Sequence, residues 1–152
     1  MMDSISIVYN MDTYLRKNER KFILKKTIKV AAAVIQNENN EILCALRSPT
    51  MSLPNLWEFP GGKLEEGENA KEALVREIEE ELDCKIVAGD VIADIHHEYE
   101  KVIVNLISIK AKIVSGKPVA KEHAEFRWVP IRELEALEWA PADLPTVAAL
   151  IR

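Results

Sequence analysis

Residues 77 to 81 read Glu-Ile-Glu-Glu-Glu, four carboxylates in five consecutive positions of a segment with helical periodicity, soon after the Gly61-Gly62 pair. Like charges three and four residues apart on a helix repel, so a fold that gathers them needs a cation nearby. At about 100° per residue, Ala70, Leu74, Ile78 and Leu82 form one apolar stripe across residues 69 to 82, with Ala73 at its edge. Glu77 and Glu81 fall one turn apart at the border of that stripe, and Glu80 lies further round the same flank. Glu72 and Glu79 point the opposite way, toward solvent. Carboxylates at the edge of a buried face are costly unless paired or metal-bound. Mg²⁺ takes one or two carboxylates together with substrate phosphate oxygens. A solvated acidic helix is the plain alternative, and the spacing of the glycines, Glu68 and Arg76 around the helix weighs against it.

The flanking residues suggest mechanical roles. Gly61 and Gly62 open backbone conformations closed to other residues and let a carbonyl approach a metal. Gly67 and Glu68 precede the helix, where an acid suits the N-terminal dipole. Asp83 sits at the helix C-cap, a position that often takes a left-handed residue. Its charge is unfavourable at that end, at a cost of roughly 1 kcal/mol or less.

With 152 residues, 48% hydrophobic and 30% charged, the chain has the composition of one globular domain. The net charge of -5 argues against stable nucleic-acid binding through a basic surface. A nucleotide remains compatible, since a metal ion supplies local positive charge. Cys44 and Cys84 sit in apolar segments without metal-binding spacing and read as reduced core residues. No apolar run is long enough to span a membrane, and the first residues lack a signal-peptide pattern. A cytoplasmic location is the expectation.

Residues 1 to 25 read as an N-terminal extension and 26 to 152 as the domain. The extension carries Arg16, Lys17, Arg20, Lys21 and Lys25 and suits a flexible tail, an added strand or a dimer arm. Residues 28 to 35 read as a buried strand, 42 to 46 as its hairpin partner after an Asn-rich turn, and 48 to 56 as a loop. Strands are expected over 85 to 97, 101 to 114 and 125 to 129. Pro130 opens a short helix, and a last helix follows Asp143, a natural N-cap. Mixed strands with few helices indicate an α+β fold.

Gly62, five residues, Glu68, seven residues, then Arg76-Glu77-Ile78-Glu79-Glu80-Glu81 resembles the Nudix box, with Asp83 where that pattern has Gly. The resemblance extends over roughly residues 28 to 151. It implies a mixed β-sheet sandwiched between helices, with the box as a loop-helix-loop motif. It is closest to the MutT-like nucleoside triphosphate pyrophosphohydrolases, including those acting on oxidised or methylated nucleotides. The resemblance implies that Glu68 braces the loop against the helix through Arg76, Gly62 belonging to the same structural frame. A helix-start acid is the simpler role for Glu68, and both can hold.

By the same match, Arg47 and Lys63 contact the nucleotide, while Glu58 and Phe59 shape the nucleoside pocket. Arg47 is otherwise a strand-end charge, and Phe59 otherwise ordinary core. Lys121-Glu122-His123 resembles the loop that delivers a further carboxylate, making Glu122 a distal ligand or base, or else a surface acid. His123 is a neighbour of the site rather than a ligand, since Mg²⁺ favours oxygen. Ala140-Pro141-Ala142-Asp143 resembles the segment that contacts the base edge, and the N-cap role of Asp143 competes with base reading.

What the resemblance implies is Mg²⁺, or Mn²⁺ in its place, held by Glu77, Glu80, Glu81, Glu122 and the Gly61 carbonyl. A water then loses its proton to Glu77, Glu80 or Glu122, and a triphosphate yields monophosphate and pyrophosphate. The alternatives are hydrolysis of nucleoside diphosphate-linked compounds such as ADP-ribose or dinucleotides, and a nucleotide-recognition domain without chemistry. The partner is the nucleotide, with no membrane, and the chain is a monomer or homodimer.

Overall fold

A computed structural model describes residues 4–9 and 22–152. The basic positions Arg16, Lys17, Arg20 and Lys21 lie outside the described residues. Strand β1 (Ser4–Tyr9) pairs antiparallel with the start of β2 (Phe22–Ile35). Part of the extension is therefore an added strand, and β2 begins at Phe22, earlier than the apolar run from Ile28 suggests. The remaining strands are β3 (Glu41–Leu46), β4 (Trp57–Glu58), β5 (Gly61–Lys63), β6 (Lys85–Glu98), β7 (Val102–Ser115) and β8 (Glu125–Pro130). Helix α1 spans Ala70–Leu82, and α2 spans Leu144–Leu150 after 3-10 turns at Ile131–Ala136 and Pro141–Asp143.

The larger sheet runs β1-β2-β7-β6, with β5 pairing on β2, and the smaller runs β4-β3-β8. Parallel pairing of β2 with β7 sets Lys26 opposite Val102 and Ile35 opposite Ala111. The fold is the expected α+β arrangement of mixed sheets flanked by helices.

Strand alternation explains the layering. Side chains of successive strand residues point to opposite faces. Ala31, Ala33 and Ile35 pack with Leu74, Ile78 and Leu82 of α1, while Ala32 and Val34 pack with Trp57, Phe59, Trp139 and Val147 on the other side. A strand buried on both faces reads as a continuous apolar run, and alanines bring α1 close to the sheet. Cys44 and Cys84 are free and buried in these cores, and burial pushes the Cys44 thiol up to about 12. Among the described residues no helix is long and apolar enough to cross a membrane.

Candidate active site

Helix α1 starts on a capping box. The Asn69 side chain accepts from the Glu72 N–H at 2.9 Å, and the Glu72 carboxylate accepts from the Asn69 N–H at 3.0 Å. This reciprocal arrangement satisfies two N–H groups that a helix start otherwise leaves bare. The local signal for this box is the Asn69-x-x-Glu72 spacing. At the other end Asp83 is left-handed, with φ 56°. Lys121 Nζ donates to Asp83 Oδ1 at 2.6 Å and to the Glu80 carbonyl at 3.0 Å. The cation offsets the ill-placed charge and ties the loop carrying Glu122 to the helix end.

Leu74, Ile78, Leu82 and Ala73 are the buried face of α1, as the periodicity requires. Glu77 lies at its border and Glu79 and Glu80 are exposed. Arg76 gathers the acids. Its Nε and Nη2 donate to the two oxygens of Glu68 at 2.7 and 2.9 Å. Nη1 donates to Glu77 at 2.9 Å and Glu80 at 3.2 Å, and Nη2 also reaches the Lys63 carbonyl at 3.1 Å. This fork geometry suits a planar guanidinium and no other cation. It holds the Glu68 carboxyl down near about 2, assisted by the Glu65 N–H.

The two glycines require a correction to the conformational argument. Neither has positive φ; that region is occupied by Gly67 and Gly116. Gly61 and Gly62 belong to strand β5, opposite Ala32 and Ala31 of β2. Their need is proximity. A Cβ on Gly61 would overlap the Ala31 carbonyl, and one on Gly62 would overlap the Glu77 carboxylate.

Glu81 is the unusual member of the helix. Its Oε2 is buried and has no hydrogen-bond partner. Burial, then the charges of Glu77, Glu122 and Glu58, push its carboxyl up to about 8. Among the described residues no three His, Cys, Asp or Glu side chains already converge closely enough to hold a metal ion. The donor chemistry nevertheless fits a hard divalent cation, because mutually repelling carboxylates surround an orphaned buried oxygen.

A second charged cluster is built around Glu58. Arg47 Nη1 donates to Glu58 Oε1 at 2.7 Å, and His123 Nε2 lies 2.7 Å from Glu58 Oε2. Arg47 also donates to the Ser52 carbonyl and hydroxyl at 2.6 and 3.0 Å, so its guanidinium braces the loop after β3. Lys63 is exposed at the end of β5, and Glu122 is exposed in the loop before β8. Phe59 is core, its ring 4.7 Å from that of Trp139.

Asp143 corrects another expectation. It occupies the N-cap position of α2 but makes no side-chain cap bond. Its Oδ1 instead accepts from the Phe59 N–H at 3.2 Å. Burial, reinforced by Glu58, pushes its carboxyl up to about 8.

This geometry meets the comparisons with known proteins. The NUDIX domain family model matches residues 31–149. The chain belongs to the Nudix family. It is 32% identical over 127 residues to an 8-oxo-dGTP diphosphatase of Escherichia coli, covering 84% of this chain and 98% of that protein. It is 35% identical over 126 residues to the CTP pyrophosphohydrolase of the same organism, covering 83% and 93%. The solution structure of a MutT protein of the Nudix hydrolase family from methicillin-resistant Staphylococcus aureus is 46% identical, with a TM-score of 0.70 and coverage of 84% and 97%. In this Nudix hydrolase Asp83 stands where the box pattern has Gly and adopts the left-handed conformation at the helix end.

Proposed function

We propose that this Nudix hydrolase cleaves nucleoside or deoxynucleoside triphosphates, including oxidised ones such as 8-oxo-dGTP, to monophosphate and pyrophosphate with Mg²⁺ or Mn²⁺. The observation that carries the reading is the buried, unpartnered Glu81 oxygen amid the charges of Glu77, Glu122 and Glu58. An arrangement so costly in isolation is relieved when a cation enters. The names of the well-covered relatives, a diphosphatase and a pyrophosphohydrolase of triphosphates, support the substrate class.

In this reading Glu77, Glu80, Glu81, Glu122 and the Gly61 carbonyl hold the metal. When bound, the metal lowers the pKa of water and neutralises charge on the phosphates. The chain's own residues do the rest. Arg76, pinned by Glu68, fixes Glu77 and Glu80 in orientation. Glu77, Glu80 or Glu122 accepts the proton of the attacking water. Arg47 and Lys63 bring positive charge to the phosphates, and Glu58 holds Arg47 in place. Positioning and electrostatics carry most of the acceleration in such phosphorus chemistry.

Asp143 reads the base in this scheme, with Phe59 and Glu58 shaping the pocket. A carboxyl held up to about 8 is largely protonated at neutral pH, so it both donates and accepts. That suits a base edge offering an acceptor beside a donor.

The test is pyrophosphate release with Mg²⁺ from 8-oxo-dGTP, dGTP, CTP, dCTP and ADP-ribose. Hydrolysis of one or more triphosphates, lost by orders of magnitude in Glu80→Gln and Glu81→Gln, is the expected result. Near-wild-type turnover in both variants, or cleavage of ADP-ribose alone, overturns the proposal.

A further inference from the structure

Strand β2 extends past its partner β7. Its pairing with β7 starts at Lys26 opposite Val102, whereas β1 pairs with residues 22 to 27. Lys25 sits at that step, with Ser6 of β1 as its strand partner. Its side chain is only 11% exposed, which is unusual for lysine and requires pairing. Nζ donates to Glu98 Oε1 at 2.7 Å and to the Tyr99 carbonyl at 2.9 Å. Glu98 ends β6 and Tyr99 opens the turn to β7, which closes with the Tyr99 N–H donating to the Val102 carbonyl at 2.8 Å.

Tyr99 carries the contact inward. Its ring packs against the core that holds Phe59, Trp139 and Ala142. Its hydroxyl oxygen accepts from the Ala142 N–H at 3.1 Å. That amide lies in the 3-10 turn Pro141–Asp143, and the first N–H groups of a helical turn lack partners within it. The next residue is Asp143.

We propose that Lys25 is a positioning residue for base recognition: it clamps the β6–β7 turn, and through it Tyr99 holds the turn that presents Asp143. The inference rests on the reading of Asp143 as the base contact. Lys25 precedes residues 31–149, the span of the family match, while Glu98, Tyr99 and Ala142 lie within it. Strand β1 supplies the backbone ladder for residues 22 to 25, which β7 does not reach. Lys25 thereby acts on that pocket through Tyr99.

The test uses the full chain and the variants Lys25→Met, Lys25→Arg, Tyr99→Phe and the Lys25→Met/Tyr99→Phe double. Kinetics with 8-oxo-dGTP and CTP, which differ in base, are read beside amide exchange at Ala142 and Asp143. Lys25→Met is expected to raise KM about five- to tenfold with kcat within about twofold, the signature of lost binding rather than lost chemistry. The kcat/KM ratio between the two bases shifts, and Lys25→Arg restores it. Exchange at Ala142 accelerates about tenfold or more as the turn opens locally. The double variant is no worse than the worse single, since both act through one contact path. Wild-type exchange and base ratio in Lys25→Met overturn the proposal, as do fully additive effects or a fall in kcat alone. If Lys25→Met does not fold, Glu98→Gln carries the same expectations. A wild-type chain that cleaves no triphosphate sinks the proposed function, and the exchange arm then decides the clamp separately.

Discussion

The carboxylate of Glu77 lies against the bare Cα of Gly62, closer than any Cβ would allow. Strand β5 and helix α1 meet at that point, and the same helix turn carries Arg76, which donates both to Glu77 and to the Lys63 carbonyl of β5. A box glycine and a box glutamate are thus one steric unit, although residues 63 to 76 lie between them in sequence.

Gly62→Ala should therefore displace Glu77 while leaving the core of α1 intact. Misplacement by about 1 Å can cost ~10²-fold in rate. A turnover loss of that order, with an unchanged far-UV circular dichroism spectrum, is the expected outcome. Wild-type kcat in Gly62→Ala would refute the steric account.

Glu81→Gln should lose activity yet gain thermal stability in metal-free buffer. The folded-state pKa of Glu81, about 8, stands above the ordinary 4.5. The folded chain then holds the extra proton, so this contribution to stability is present at low pH and lost as pH rises from 4.5 through about 8. The variant's Tm advantage should be small at pH 5 and grow to several degrees at pH 9, since an unsatisfied buried group costs about 1–3 kcal/mol. Saturating Mg²⁺ should shrink it by stabilising the wild type. Paired thermal melts at both pH values, with and without Mg²⁺, check all three statements.

Asp143→Asn separates the second high-pKa carboxyl from the first. The sign is the same: a folded pKa of about 8 against 3.8 makes the ionised form the destabilised one, so stability falls as pH rises through that window. Asn is neutral throughout and can keep the bond from the Phe59 N–H. Its melts should match wild type near pH 5 and exceed it at pH 9, while its kcat/KM ranking among bases changes. An unaltered ranking would restrict Asp143 to a structural role.

Arg76→Lys removes the fork that grips Glu68 while retaining the charge. The Glu68 carboxyl, held near about 2, should return toward 4.5 in an NMR titration. A depressed pKa contributes stability above pH 4.5 that is lost as pH falls toward 2, so the variant should lose part of the wild type's acid-dependent stability change. Turnover should fall about tenfold or more as Glu77 and Glu80 lose their common anchor. Unchanged Glu68 titration would show that a single ammonium replaces the fork.

Much of this was legible in the chain. The apolar stripe fixed which face of α1 is buried, because 3.6-residue periodicity is a local property. The apolar run from 28 to 35 announced a buried strand. The box spacing identified the family, and the left-handed demand at Asp83 followed from where the stripe stops.

Other features depend on residues far apart in sequence, which no local pattern encodes. The sequence pointed to conformational freedom at Gly61 and Gly62, but packing against Ala31 and Glu77 is what excludes a side chain there. Asp143 reads as a natural N-cap, yet in the folded chain its buried carboxylate accepts from the Phe59 amide instead. Arg47 and His123 both bond to Glu58, and Lys25 meets Tyr99 because β2 pairs with β7 from Lys26 onward, beside the β6–β7 turn. The sequence by itself determined the elements, the buried faces and the set of acids, since these follow from periodicity and spacing. Only the tertiary structure decided which carboxylates are desolvated and which cations hold them, because burial and pairing arise from the packing of segments that meet after folding.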